Sequence, residues 1–317
     1  MAAVIRADRA ALGQAISLVE STHPDDRKAA SLLLDACQAA SVESVRVAIS
    51  GSPGVGKSTL IEALGIHLTQ AGHRVAVLAV DPSSARSGGS ILGDKTRMPR
   101  LSTDPNAFIR PTPSAGALGG VGRSTRAAMT VCEAAGFDVV LVETMGVGQS
   151  ETAAAGMADF FLLLSLAGAG DELQGIKRGI LEVADAVAVT KADGSNTDAA
   201  ATAASRLRSA LSLFPPDDSG WRPRVLTCSA LNGTGLDDIW ESVSDYAAEA
   251  RRSGWFTRQR QSQRASWFED EVLLLQSQAL GLERQKERSE LLERVMDGQL
   301  HPYAAAAEFV KPQETAD

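Results

Sequence analysis

The sequence predicts an α/β fold built on a mostly parallel central sheet. Apolar runs of strand length recur at Val45 to Ile49, Arg74 to Val80, Asp138 to Val142, Phe160 to Leu166, Asp185 to Val189 and Arg224 to Cys228. The stretches between them are long enough for the crossover connections that parallel strands need. Aromatic residues make up only 4% of the 317 residues while 44% are hydrophobic, so Ala, Val, Leu and Ile must fill the interior, as in a parallel sheet covered by helices. The first run leads directly into GSPGVGKST, Gly51 to Thr59, and then into a helical pattern from Ser58 to about Gln70.

That order reads as strand, phosphate-binding loop, helix. Gly51, Gly56, Lys57 and Ser58 fit GxxxxGK[ST], and Pro53, Gly54, Val55 and Thr59 complete the loop. The spacing lets successive backbone N–H groups curl around a phosphate while Lys57 reaches the outer phosphates and Ser58 faces Mg²⁺. Glycine permits the close approach, and the following helix points its positive end at the same anion. The expected ligand is a nucleoside triphosphate with Mg²⁺, on a P-loop NTPase fold.

Length and charge limit what surrounds the loop. The chain exceeds one average domain, and its formal net charge of −8 leaves no overall electrostatic footprint for nucleic acid or an anionic membrane. Cys37, Cys132 and Cys228 are too far apart for a CxxC site and odd in number, so buried thiols are expected. Charges at Arg6, Asp8 and Arg9 precede any apolar run, and no apolar stretch approaches the length of a membrane span. The reading is a cytoplasmic protein.

Residues 1–44 carry apolar positions at roughly helical spacing, broken around Ser21 to Pro24, and predict a helical extension of two helices. Asp81 ends the second apolar run, at the carboxyl edge where α/β sheets collect ligands, and a carboxylate there can hold Mg²⁺ directly or through water. Residues 82 to about 126 are rich in Gly, Ser and Pro with few apolar positions, which predicts a switch segment beside the triphosphate. Asp94, Lys95 and Arg97 supply its charges. Glu143 and Gly146 follow the next strand, where nucleotide hydrolases keep an acid and a glycine N–H that senses the γ-phosphate. Lys177 and Arg178 fall in the loop after Phe160 to Leu166, or in the first turn of the next helix.

Base recognition is expected from Thr190-Lys191-Ala192-Asp193. An aspartate can accept hydrogen bonds from N1 and N2 of guanine, a pairing adenine does not offer, while the lysine stem lies along the base. Ser229-Ala230-Leu231, closing the last strand, can supply a backbone amide to the guanine carbonyl. Together the pair favours GTP over ATP.

The segments DPSS, SGGSILGDKTRM, FIRPTPSAGALGG, ETMGVGQSE and AGDELQGIKRGI resemble the MeaB/ArgK family, GTPases associated with methylmalonyl-CoA mutase. The resemblance runs from about Val45 to Ile239. It implies a dimeric GTPase that binds GTP/GDP and Mg²⁺ and acts as a chaperone for an adenosylcobalamin-dependent acyl-CoA mutase, gating cofactor loading and protecting the enzyme. It further implies that Asp81, Asp94 and Glu143 surround the metal and attacking water. Lys177 then lies in a third switch loop that reaches the nucleotide when a partner binds. Two positions depart from the family pattern: Thr190 stands for the usual Asn, and Met145 where Val is common.

Beyond Ile239 the chain turns helical and polar. The expected organisation is a helical extension over 1–44, a GTPase domain over 45–250 and a helical arm over 251–317 that forms a dimer contact. Arg251, Arg252, Arg258 and Arg260 are expected on a solvated helix face, and His23, His67, His73 and His301 in structural roles. Two alternatives use the same loop. A metal-insertion GTPase needs His or Cys clusters, for which the four histidines and three isolated cysteines offer little. A P-loop kinase linked to arginine/ornithine transport needs an acceptor pocket, and the guanine-reading pair counts against it.

Overall fold

The computed structural model describes residues 1–21, 23, 25–81, 97–113, 120–144, 150–167, 178–215, 218–278 and 282–310. In chain order the elements are α1 (Ala2–Ile5), α2 (Arg9–Glu20), α3 (Asp26–Ala40), β1 (Val45–Gly51), α4 (Lys57–Gln70), β2 (Val75–Asp81), α5 (Pro99–Thr103) and β3 (Ala107–Pro113). Next come α6 (Gly120–Ala134), β4 (Val139–Glu143), α7 (Ser150–Ala155), β5 (Phe160–Leu166), α8 (Arg178–Leu181) and β6 (Ala186–Thr190). After a 3₁₀ turn at Gly194–Asn196 follow α9 (Thr197–Leu211), β7 (Arg224–Thr227), α10 (Leu236–Arg252), α11 (Trp255–Gln278), α12 (Leu282–Met296) and α13 (Pro302–Val310).

Among the described residues the strands form one sheet in the order β3-β2-β4-β1-β5-β6-β7, and every pairing is parallel. The chain builds outward from β1 on one side through β2 and β3. It then returns through β4 and crosses to β5 on the other side. β1 is therefore the switch point, and the crevice at its carboxyl end is where such sheets bind ligands. Alternation along each strand feeds two cores. Val47, Ile49, Leu141 and Leu162 pack with Leu60, Leu64 and Leu68 of α4 and with Val243 and Tyr246 of α10. Ala48, Phe161, Leu163, Val187 and Val189 face the other way, toward Ala200, Ala204 and Leu207 of α9.

The stretch 82–126 departs from its expected irregularity, because α5, β3 and the start of α6 lie within it. β3 carries Pro111 and Pro113, which disguise it as loop, yet it occupies the sheet edge, where a missing N–H costs no ladder bond. The expected switch charges Asp94 and Lys95 lie outside the described residues.

The helical N-terminus packs on this side. Leu12 and Ile16 of α2 are fully buried, α2 and α3 contact α6, and the Arg9 guanidinium donates to the carbonyls of Ser102 at 3.0 Å and Ala107 at 2.9 Å.

The chain divides into a unit spanning 1–263 and a second spanning 264–317. Within the first, Arg260 of α11 departs from the solvated face expected for it. Its guanidinium donates to both Asp159 carboxylate oxygens, at 2.8 and 2.6 Å, and to the Ser44 carbonyl at 3.0 Å, while Arg46 binds Glu133 at 2.7 and 2.8 Å beside it. In the basic cluster Arg260 looked solvated because these partners lie far away in sequence. In the second unit, the Arg284 guanidinium lies 4.5 Å from the Phe309 ring centre, joining α12 to α13 around buried Leu291 and Ala305. Leu273, Leu292, Met296, Tyr303 and Val310 are exposed there.

Candidate nucleotide site

The phosphate loop leaves β1 at Gly51 and reaches α4 at Lys57. A side chain at Gly51 is excluded: a Cβ would sit 2.6 Å from the Leu164 carbonyl oxygen of the neighbouring strand. Gly56, at φ +100°, adopts the left-handed conformation that starts the helix. Val55 is buried and anchors the loop, while Ser52, Pro53 and Gly54 are exposed. Lys57 folds back over the turn, its Nζ donating to the carbonyls of Gly51 at 2.7 Å and Ser52 at 3.2 Å.

Ser58 Oγ, in the first turn of α4, donates to Glu143 Oε1 at 2.8 Å. Glu143 is the last residue of β4, opposite Ile49 of β1 and Ala79 of β2. A hydroxyl and a carboxylate in contact make the sparse oxygen set that Mg²⁺ accepts, since it keeps waters and takes its other ligands from phosphates. The residues present therefore fit the ion. Asp81 ends β2 two positions beyond Ala79, so its backbone stands at the same edge of the sheet. Asp94, Gly146 and Lys177 lie outside the described residues, and Arg178 opens α8.

On the other side of β1, the end of β6 faces the same loop. The buried Thr190 hydroxyl donates to the Val55 carbonyl at 2.7 Å and lies 3.2 Å from the Ser165 carbonyl. Lys191 has φ +56°, and its Nζ donates to the Gly54 carbonyl at 2.9 Å. Asn196 Nδ2 donates to the Lys191 carbonyl at 2.7 Å and holds that turn. Asp193 accepts a hydrogen bond from Ser229 Oγ, which ties the two expected base-reading segments together. Burial pushes the neighbouring Cys228 thiol up to about 12, so it is a neutral, apolar wall.

A cavity of about 220 Å³ lies between these parts. Val55, Gly56, Thr59 and Leu60 bound it on the loop side, and Thr190, Lys191, Asp193, Ala230 and Leu231 on the other. The segments that the sequence assigns to phosphate and to base thus share one cavity. A family profile described as "Methylmalonyl Co-A mutase-associated GTPase MeaB" matches residues 12–280.

The chain belongs to this MeaB family of GTPases.

The Probable GTPase of Mycobacterium tuberculosis is 52% identical to it, over 99% of this chain and 94% of that protein. The mouse protein named "Methylmalonic aciduria type A homolog, mitochondrial" is 45% identical over 97% of this chain and 77% of its own length. A crystal structure described as "LAO/AO transport system kinase" matches with a TM-score of 0.76 at 37% identity, covering 97% of this chain and 94% of that one.

Three residues of this MeaB-family site escaped the sequence reading. Gly235, at φ +77°, lets the chain turn behind Ser229, since a Cβ there would meet the Thr227 carbonyl oxygen at 2.2 Å. The glycine pair in Gly233-Thr234-Gly235 was a usable signal. Ser50 and Thr144 carried none: their hydroxyls meet at 2.8 Å across 94 positions of sequence.

Proposed function

We propose that the chain binds GTP with Mg²⁺ in this cavity and hydrolyses it while serving an adenosylcobalamin-dependent acyl-CoA mutase. The observation that carries the reading is the single cavity bounded both by the phosphate loop and by Asp193, whose carboxylate accepts from Ser229 Oγ. Asp193 accepts from the guanine N1 and N2 donors, and Lys191 lines the base along its stem. Lys57 turns from the loop carbonyls to the outer phosphates, where loop N–H groups stabilise the charge of an in-line displacement by water. When bound, Mg²⁺ neutralises charge on the β- and γ-phosphates. Ser58, Asp81, Asp94 and Glu143 provide the oxygens around it.

The family description supports the mutase as client. In the full reading, nucleotide state gates cofactor loading, Lys177 reaches the nucleotide when the mutase docks, Gly146 senses the γ-phosphate, and the helical arm joins two copies. No helix among the described residues is long and apolar enough to cross a membrane, and we place the protein in the cytoplasm. The test is GTP hydrolysis by the purified protein, alone and with purified adenosylcobalamin-dependent acyl-CoA mutases added singly. Strong acceleration by one mutase, lost in Lys177→Ala with GTP binding retained, is the expected result. No acceleration by any of them removes the mutase role. A kinase reading draws on the name of one solved relative, the LAO/AO transport system kinase; it requires phosphate transfer from GTP to an added amino acid, where GTP hydrolysis gives only release to water.

A further inference from the structure

The ladder between β1 and β4 ends at the site. Its last pair is Ile49 and Glu143, after which β1 continues along β5, with Ser50 opposite Leu163 and Gly51 opposite Leu164. Thr144 is therefore the first residue past the end of β4, directly after the carboxylate that meets Ser58. Its backbone N–H donates to the Ile49 carbonyl at 3.0 Å, and its Oγ1 donates to Ser50 Oγ at 2.8 Å. Ser50 is 0% and Thr144 2% exposed, so water does not compete for this contact. A hydrogen bond between two buried hydroxyls thus extends the pairing by one residue beyond the backbone ladder. It joins the strand that carries the phosphate loop to the strand that carries Glu143.

We infer that Thr144 is a positioning residue for the magnesium–nucleotide complex. Its hydroxyl, held on Ser50, fixes the exit of β4 so that the Glu143 carboxylate stays in register with Ser58. This rests on the proposed nucleotide reading of the site. Thr144 touches neither nucleotide nor metal; it acts through Glu143. Valine at this position keeps the volume and the backbone bond but removes the hydroxyl. Losing one buried hydrogen bond that sets a binding geometry corresponds to about a tenfold loss in affinity.

The experiment measures binding of a fluorescent GDP analogue to the full chain as Mg²⁺ is titrated. Thr144→Val is expected to raise the half-saturating Mg²⁺ concentration by about tenfold, Thr144→Ser to restore it, and GDP affinity in excess EDTA to stay unchanged. Ser50→Ala should shift the Mg²⁺ dependence in the same direction, and the double variant should fall short of the sum of the two single ones, because they share the contact between the hydroxyls. Wild-type Mg²⁺ dependence in Thr144→Val, a serine variant as impaired as the valine one, or additive effects in the double variant would each overturn the inference. If the unaltered chain binds GDP without any dependence on Mg²⁺, this inference falls while the nucleotide reading stands; if it binds no GDP at all, both fall.

Discussion

The hydroxyl of Thr190 donates to the carbonyl of Val55 at 2.7 Å, from a position 4% exposed to solvent. A residue at the end of β6 thereby holds the phosphate loop against the segment that carries Asp193. Where the resemblance leads us to expect asparagine, threonine reaches the loop through its own oxygen.

Removing that oxygen leaves the Val55 carbonyl without this donor in a buried setting, at a cost of about 1–3 kcal/mol. Thr190→Val should therefore weaken GTP and GDP together, by roughly tenfold or more, while Thr190→Ser stays near the parent. Calorimetric titration of both nucleotides checks this. Loss of GTP affinity alone would place the effect at the γ-phosphate instead.

Asp193 accepts from Ser229 Oγ while bounding the base cavity. Asp193→Ala should erase the preference for GTP over ATP in competition binding, because the acceptor for the guanine N1 and N2 donors is gone. Ser229→Ala should reduce GTP affinity and keep the preference, since the carboxylate remains. Undiminished discrimination in Asp193→Ala would move base reading to another part of the cavity.

Arg260 and Asp159 form a buried pair, with side chains 15% and 0% exposed, at the opposite end of β1 from the phosphate loop. Asp159 also accepts from the Arg46 backbone N–H at 2.8 Å, so the carboxylate serves both α11 and β1. Arg260→Met strands that buried charge, and should lower unfolding free energy by about 3–5 kcal/mol in urea denaturation. A change below about 1 kcal/mol, the size expected for a surface pair, would mean the pair is solvated in solution.

Glu133 gives the network a pH dependence. Burial alone would push its carboxyl up, but hydrogen bonds and charge from Arg46, with Arg260 and Ser44 adding to them, hold it below the ordinary glutamate value. Folding favours the ionised form, so the stabilisation is complete above the unfolded glutamate value of about 4.3 and is lost as pH falls through the lower folded value. Glu20 opposes this in the same region: burial raises its carboxyl, and the Arg110 hydrogen bond and charge offset that only in part. Thermal unfolding followed from neutral pH down through the carboxylate range should show a steep acid loss that Glu133→Gln flattens. An unchanged slope in that variant would assign acid sensitivity to other carboxylates.

Much of the fold was legible in the chain because its signals are local. The apolar runs of β1, β2, β4, β5, β6 and β7, the glycine spacing from Gly51 to Gly56, and the Lys191–Asp193 pair each lie within a few consecutive residues. β3 was missed because Pro111 and Pro113 read as loop, and only its place at the sheet edge makes them tolerable. The contacts that give the site its shape are of another kind. Thr190 meets Val55 across 135 positions, Thr144 meets Ser50 across 94, and Arg260 meets Asp159 across 101. The sequence by itself determined every strand but β3, the phosphate loop and the residue types able to read a guanine nucleotide, since backbone periodicity and loop chemistry are properties of short segments. Tertiary structure alone decided which hydroxyl holds the loop, which hydroxyls join the ends of β1 and β4 and which arginine is buried. Those outcomes depend on which strands become neighbours, and strand order is written in no single stretch of the chain.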